Sequence, residues 1–189
     1  MNFWQDKIVL VTGGSSGLGR IIAEEFFRAG AKLAIVALEK DDVEKASHEI
    51  GSNKAGSGEI SYEVLPIHAD ITKQDDVNRI FETVRNHWGG LDVLVNNAGR
   101  SMRGRVLDTT PEQFQSLFDL NVLGTIRCTR AAAAMLLERR GHVVNIGSLA
   151  AKSAARYVGA YPVSKFAVAA YSQQLRLELG SEGLHVLLV

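Results

Sequence analysis

The chain has 189 residues, 46% of them hydrophobic and 22% charged, with Lys plus Arg equal to Asp plus Glu at 21 each. That length supports one domain, 1–189, with a real core, and the charge balance argues against capture of nucleic acid or of an acidic membrane surface. A single cysteine, Cys128, excludes an internal disulfide and a cysteine-based metal cluster, and no metal site is expected. No run of about 18 apolar residues is present, so no membrane span is expected. Met1 to Lys7 lacks the basic and then apolar pattern of a signal peptide, which makes the cytoplasm the expected location.

Ile8-Val9-Leu10-Val11 is short, apolar and mostly β-branched, the pattern of a strand buried on both faces of a parallel sheet. Thr12-Gly13-Gly14-Ser15-Ser16-Gly17-Leu18-Gly19 follows at once, then a helical stretch from Ile21 to Arg28 that stops at Ala29-Gly30. Strand, glycine-rich turn and helix is the setting a phosphate-binding turn requires. Glycines let backbone N–H groups approach a pyrophosphate, and the helix start adds favourable partial charge. The spacing is G-x-x-x-G-x-G rather than the commoner G-x-G-x-x-G, and a purely structural turn is the alternative.

Lys32 to Ala37 carries a second strand. An acid at its end would bind the adenosine ribose hydroxyls and repel a 2′-phosphate. Here the strand ends in Ala37-Leu38 before Glu39-Lys40, so neither that acid nor a phosphate-welcoming arginine stands in first place. A helix over 41–50, a flexible loop over 51–59 and a third strand from Ser61 to His68 follow. Pro66 cannot donate to a ladder, so this third strand belongs at a sheet edge. Asp70-Ile71 close it, and Thr72 is expected to cap a helix running to about His87, with Asp75 in its first turn.

A fourth strand, Leu91 to Val95, ends in Asn96-Asn97-Ala98-Gly99. These residues make either a plain turn or a close backbone approach to a cofactor. Pro111 and Glu112 open a long helix that passes Asn121 and the alanines 131–134 before Arg139-Arg140-Gly141. Asparagine is disfavoured in mid-helix, so Asn121 is either a solvent-facing residue or a functional one. His142 to Ile146 is a fifth strand ending at Gly147-Ser148. A helix from about Tyr157 to Leu179 and a sixth strand from Leu184 to Val189 complete the chain.

Within that last helix lies Tyr161-Pro162-Val163-Ser164-Lys165. Positions i and i+4 share a helix face, about 6 Å apart along the axis. A phenol ordinarily titrates near ~10, but an ammonium ~4 Å away favours its ionised form by roughly 4 kcal/mol at an effective dielectric of ~20. Burial opposes this. A tyrosine so tuned exchanges a proton with a carbonyl or alcohol oxygen near neutral pH, and Ser148 would hydrogen-bond the same oxygen.

Six strands alternating with helices predict an α/β fold: a doubly wound parallel sheet with helices on both faces and right-handed crossovers. Ligands bind such sheets at the carboxyl ends of the strands. Thr12, Ala37, Asp70, Asn97 and Ser148 each follow a predicted strand, so five strands deliver their unusual residues to one edge. Chance motifs would scatter.

Taken together, Thr12-Gly13-(x)3-Gly17-Leu18-Gly19, Asp70, Asn96-Asn97-Ala98-Gly99, Asn121, Ser148 and Tyr161-(x)3-Lys165 resemble the short-chain dehydrogenase/reductase family in its main form. The resemblance covers residues 7–189 and implies a Rossmann-type sheet and NAD(P)-dependent interconversion of a carbonyl and an alcohol. It implies Tyr161 as acid/base, Lys165 as its electrostatic partner and a holder of the nicotinamide ribose, Ser148 orienting substrate, and Asn121 anchoring a water in a proton relay. Thr12, Gly13, Ser15, Ser16, Gly17, Leu18 and Gly19 would surround the pyrophosphate and ribose. Asp70 and Ile71 would meet the adenine, and Asn97, Ala98 and Gly99 the cofactor's ribose and backbone.

The family continues past its sixth strand with a substrate-binding segment and a seventh strand. This chain stops at Val189, so a carboxyl-terminal truncation is expected. The missing acid at 37–38 tips the coenzyme choice slightly toward NADP(H); Lys40 supports that and Glu39 opposes it. The substrate is not specified. Arg100, Arg103 and Arg105 raise an anionic substrate against a solvated basic loop, and Leu149, Ala150 and Ala151 suggest an apolar wall. Relatives pair long helices across two-fold axes, so a homodimer or homotetramer is expected. A dinucleotide-binding regulatory or scaffold protein is one alternative; the intact Ser148, Tyr161 and Lys165 argue against it. A nucleotide-sugar epimerase or dehydratase is the other, and the glycine spacing and Asn96-Asn97-Ala98-Gly99 argue against that.

Overall fold

The computed structural model describes residues 3–52 and 64–189. Its centre is β1 (Ile8–Thr12), a strand with every residue buried. Side chains alternate across a strand, so Ile8 and Leu10 enter one core while Val9 and Val11 enter the other. Burial on both faces is why the run reads as continuously apolar.

β1 pairs in parallel with β2 (Lys32–Ala37) on one side and β4 (Val93–Asn96) on the other. β3 (Val64–His68) extends the sheet beyond β2, while β5 (His142–Asn145) and β6 (His185–Leu188) extend it beyond β4, giving the order β3-β2-β1-β4-β5-β6. The chain therefore winds outward from β1 to β3 and restarts at β4. A crevice opens at the carboxyl ends of β1 and β4, where the winding direction reverses.

Helices α1 (Gly17–Arg28) and α2 (Lys40–Ser52) cover one face through Ala23, Phe27, Val43, Ala46 and Ile50. On the other face, α3 (Gln74–Trp88) and α5 (Thr125–Glu138) contribute Val77, Ile80, Phe81, Cys128, Ala132, Met135 and Leu136. Between β4 and α5 lie α4 (Pro111–Phe118) and a π-helical turn, Asp119–Gly124. The last helix, α6 (Tyr161–Leu179), packs beside β6. Among the described residues no helix is long and apolar enough to cross a membrane.

Pro66 lies on edge strand β3, as its missing N–H requires. Four expectations need correction or placement. Gly51 and Ser52 end α2 instead of opening the loop, while the rest of that loop and Ser61 fall outside the described residues. Thr72 does not cap α3, which starts after Lys73. Its hydroxyl instead donates to Asp70 Oδ1 at 2.7 Å, and its N–H to the same oxygen at 2.9 Å. Asp70 thereby folds its own turn and takes the threonine away from the helix.

The long helix through Asn121 is three segments, the middle one wide. α6 begins at Tyr161, not Tyr157, with Pro162 in its first turn. Tyr157 and Gly159 sit at φ +63° and +50°, and Val158 bridges to Gly104, so the stretch before α6 is committed elsewhere.

Candidate active site

The turn after β1 works because two residues adopt φ values that favour glycine: Gly13 at +65° and Gly17 at +54°. A Cβ on Gly17 would meet nothing within 4 Å, so its backbone faces open space. Ser16 precedes α1 in extended conformation and makes no side-chain cap, which leaves the first N–H groups of the helix for another acceptor. Gly19 has a different task. A Cβ there would lie 2.2 Å from the Gly13 carbonyl oxygen and 2.2 Å from Asn97 Nδ2, so it is a packing glycine.

Thr12 is buried and locks β1 to β4. Its Oγ1 accepts from the N–H groups of Asn97 and Ala98 at 3.0 and 3.1 Å. Asn97 Nδ2 donates back to the carbonyls of Thr12 and Gly13 at 3.0 and 3.1 Å. Asn96 points the other way, into the core, donating to Asn145 Oδ1 at 2.8 Å and Thr129 Oγ1 at 3.0 Å. Of the two adjacent asparagines, one staples the sheet and the other shapes the turn.

These elements enclose a cleft of ≈ 450 Å³. Gly13, Ser15, Ser16, Gly17, Leu18, Asp70, Ile71, Asn97, Ala98 and Gly99, all singled out from the sequence as cofactor-binding candidates, line it. Thr12 and Gly19 do not; they support the residues that do. Val36, Ala69, Leu120 and Asp42 also line it and were not singled out from the sequence. The first three are apolar residues of ordinary spacing. Asp42 lies in the first turn of α2, where an acid is expected for helix reasons alone.

The second part of the site lies at the end of β5. Lys165 is only 8% exposed, and its Nζ donates to the Ile146 carbonyl at 2.7 Å. Burial lowers its pKa from the usual lysine value. The same Nζ lies 5.8 Å from the centre of the Tyr161 ring. Ser148, two residues beyond Ile146, accepts the Ala150 N–H at 3.1 Å and starts a short 3-10 turn, Leu149–Ala151, that packs on α6.

Asn121 is buried, not solvent-facing. Its Oδ1 accepts the Arg100 N–H, and its Nδ2 donates to the Arg100 carbonyl and to Ser164 Oγ, all at 3.0 Å. Ser164 Oγ in turn donates to the Tyr161 carbonyl at 2.7 Å. The sequence reading missed Ser164. It joins the loop after β4 to the first turn of α6. The π-helical turn carries the Asn121 side chain into this position, and such turns recur at functional sites. Arg100 donates to Ser116 Oγ at 2.6 Å and Arg105 pairs with Asp108 at 4.0 Å, so two of the three loop arginines are engaged on their own segment.

Such a sheet and site define a class of protein. The family model for short chain dehydrogenases matches residues 7–189, and the chain belongs to that family. A crystal structure of a short-chain dehydrogenase from Streptomyces avermitilis superposes with a TM-score of 0.87 at 32% identity, covering 97% of this chain and 64% of that one. An uncharacterised oxidoreductase of Staphylococcus aureus (strain MRSA252) is 30% identical, across 98% of this chain and 77% of its own. The 11-beta-hydroxysteroid dehydrogenase 1A of Arabidopsis thaliana is 36% identical, across 97% of this chain and 51% of its own. Dehydrogenase/reductase SDR family member 7B of Danio rerio is 34% identical, across 96% and 59%. The protein is an oxidoreductase of this family.

Proposed function

We propose that this chain is a dinucleotide-binding domain that uses NAD(H) or NADP(H) to interconvert a carbonyl and an alcohol, with Tyr161 as the proton donor and acceptor. The nicotinamide would supply or take the hydride. The observation that carries this is Lys165. A buried ammonium is costly unless it has work to do. Here its Nζ is fixed on the carbonyl of Ile146, two residues before Ser148, with the centre of the Tyr161 ring 5.8 Å away.

The open cleft fits such a coenzyme. Gly17 leaves room beside uncapped helix N–H groups, which suits a pyrophosphate. Asn97, Ala98, Gly99, Asp70 and Ile71 line the same cleft, and in this reading Asp70 and Ile71 would meet the adenine. In this reading Lys165 holds the nicotinamide ribose beside the Tyr161 ring. Ser148 positions the substrate oxygen. Asn121 fixes the first turn of α6 through Ser164 and anchors the water of a proton relay. Val163 and Phe166 are exposed on α6, which supports pairing of this helix with a second copy in a dimer or tetramer. Turnover of a panel of ketones, aldehydes and alcohols with each coenzyme tests the reading. Coenzyme-dependent turnover of at least one compound is expected, and a failure to bind either coenzyme would overturn it.

A further inference from the structure

We infer that the substrate carries an anionic group, a carboxylate or a phosphate, set apart from its reacting carbonyl, and that Arg103 and Arg156 receive it on two loops joined beside Tyr161. This rests on the carbonyl–alcohol reading of the site and adds the class of substrate.

The loops are 100–110, after β4, and 149–160, between Ser148 and α6. Together they carry Arg100, Arg103, Arg105, Lys152 and Arg156 against one acid, Asp108, in a chain that is neutral overall. Arg105 is held by Asp108, and Arg100 donates to Ser116. Glu112, the next acid along the chain, hydrogen-bonds Thr110 in the first turn of α4. Arg103, Lys152 and Arg156 are exposed and form no ion pair among the described residues.

Exposed cations on an irregular loop are ordinarily just solvated, but these loops are fixed to one another. The Gly104 N–H donates to the Tyr157 carbonyl at 3.0 Å and the Gly159 N–H to the Gly104 carbonyl at 3.1 Å, around the Gly104–Val158 bridge. Paired backbones lie about 4.8 Å apart. Arg103, one residue before the bridge, and Arg156, two before it on the other loop, are thereby drawn to one place. A Cβ on Gly159 would lie 2.9 Å from Met102 Sδ and 2.9 Å from Thr109 Oγ1, so the joint is closely packed. Tyr157 sits at φ +63°, which a residue other than glycine sustains only where its surroundings hold it. The joint also reaches the chemistry. The Val158 carbonyl accepts the Tyr161 N–H at 3.1 Å, and Asn121 binds both backbone groups of Arg100. Arg156 stands five residues before Tyr161, a span of at most about 18 Å at ~3.6 Å per residue. A guanidinium meets a carboxylate or a phosphate with two parallel N–H donors. Because both arginines are exposed, the attraction is moderate and falls with ionic strength.

The test compares turnover of oxo acids of increasing chain length with turnover of their methyl esters, with NADH or NADPH, at low and high salt. Expected is a chain length at which kcat/KM for the acid exceeds that for the ester at least ~10-fold, a difference of about 1.4 kcal/mol, with the excess shrinking as salt rises. The double variant Arg103→Gln with Arg156→Gln should bring that ratio toward one, and a urea midpoint matching the parent's shows that it is folded. A hydroxyketone and its phosphate monoester form a parallel pair, and the anion with the larger ratio is the one the site is built for. Equal turnover within every pair overturns the inference while leaving the carbonyl–alcohol reading intact, as does turnover of neutral ketones alone or a ratio that the double variant does not move. Binding of neither coenzyme removes that reading and this inference with it.

Discussion

The two edges of the sheet both bury charge, and they do so in opposite ways. At the amino edge Asp92, 6% exposed, is fully used. Its Oδ2 accepts the Ile8 N–H at 2.9 Å and Arg139 Nη1 at 3.4 Å, and its Oδ1 accepts Lys7 Nζ at 3.4 Å. At the carboxyl edge Lys165 is about as buried, yet it has no carboxylate partner among the described residues, only the Ile146 carbonyl. A buried carboxylate with each oxygen matched ties strands and loops together. A buried ammonium without a counter-ion leaves its charge unmatched, and perturbed groups of that kind cluster at functional sites. Burial alone does not mark a site; burial with an unmatched charge does.

Substitutions that separate chemistry from stability would break or sharpen this contrast. The largest effect is expected at the carboxyl edge: Tyr161→Phe should lower turnover by ~10²-fold or more, the contribution of a lost general acid, with coenzyme affinity kept. Near-normal turnover would remove Tyr161 from the proposed mechanism. At the amino edge Asp92→Ala leaves the Ile8 N–H and two cations without their acceptor. A loss of about 2 kcal/mol in urea unfolding is expected, with turnover per folded molecule kept.

Ser164→Ala tests a residue that serves both purposes. It strips one partner from Asn121 and should cost about 1 kcal/mol of stability while also lowering turnover, because Tyr161 loses its fixed first turn. If stability falls and turnover does not, the Asn121–Ser164 link is structural only.

The smallest effect is a pH slope at the amino edge. His142 stacks on His185 with ring centres 4.7 Å apart, and burial, then the charges of His185 and Lys7, lower its pKa from the ordinary histidine value. Between that lowered value and the unfolded one near ~6.5, the unfolded chain binds more protons, so stability rises with pH through this window and is lost on acidification. Urea midpoints at stepped pH should show that rise, and His142→Gln should flatten it. An unchanged slope in the variant would assign the effect to other groups.

Much of the fold was legible because the central strands are buried on both faces. Ile8 to Val11 and Leu33 to Val36 need no partner to be read as apolar. The glycine-rich turn was legible because its glycines are local to one strand–helix junction. Some of what was not legible depends on residues far apart in the chain. Asn121 gives no local sign of burial, since its partners Arg100 and Ser164 lie 21 and 43 residues away. Thr72 looked like a cap until Asp70 claimed its hydroxyl. Asp42 looked like a helix-start acid, and its place on the cleft follows only from how α2 leaves β2. The start of α6 was misjudged for want of the Gly104–Val158 bridge, which ties up the residues before it.

The π-helical turn at Asp119–Gly124 has a consequence for how this stretch tolerates change in length. Each residue of an ordinary helix advances the screw by about 100°. A π turn spends one residue more on the same revolution, so it sets the phase between α4 and α5. Removing a single residue anywhere in 119–124 would let the segment relax into an unbroken α-helix. Cys128, Ala132 and Leu136 could then keep their place on the sheet only by turning the Asn121 side chain away from Ser164. Point substitutions here should be graded in effect, whereas a one-residue deletion should act as a switch between a packed core and an assembled site.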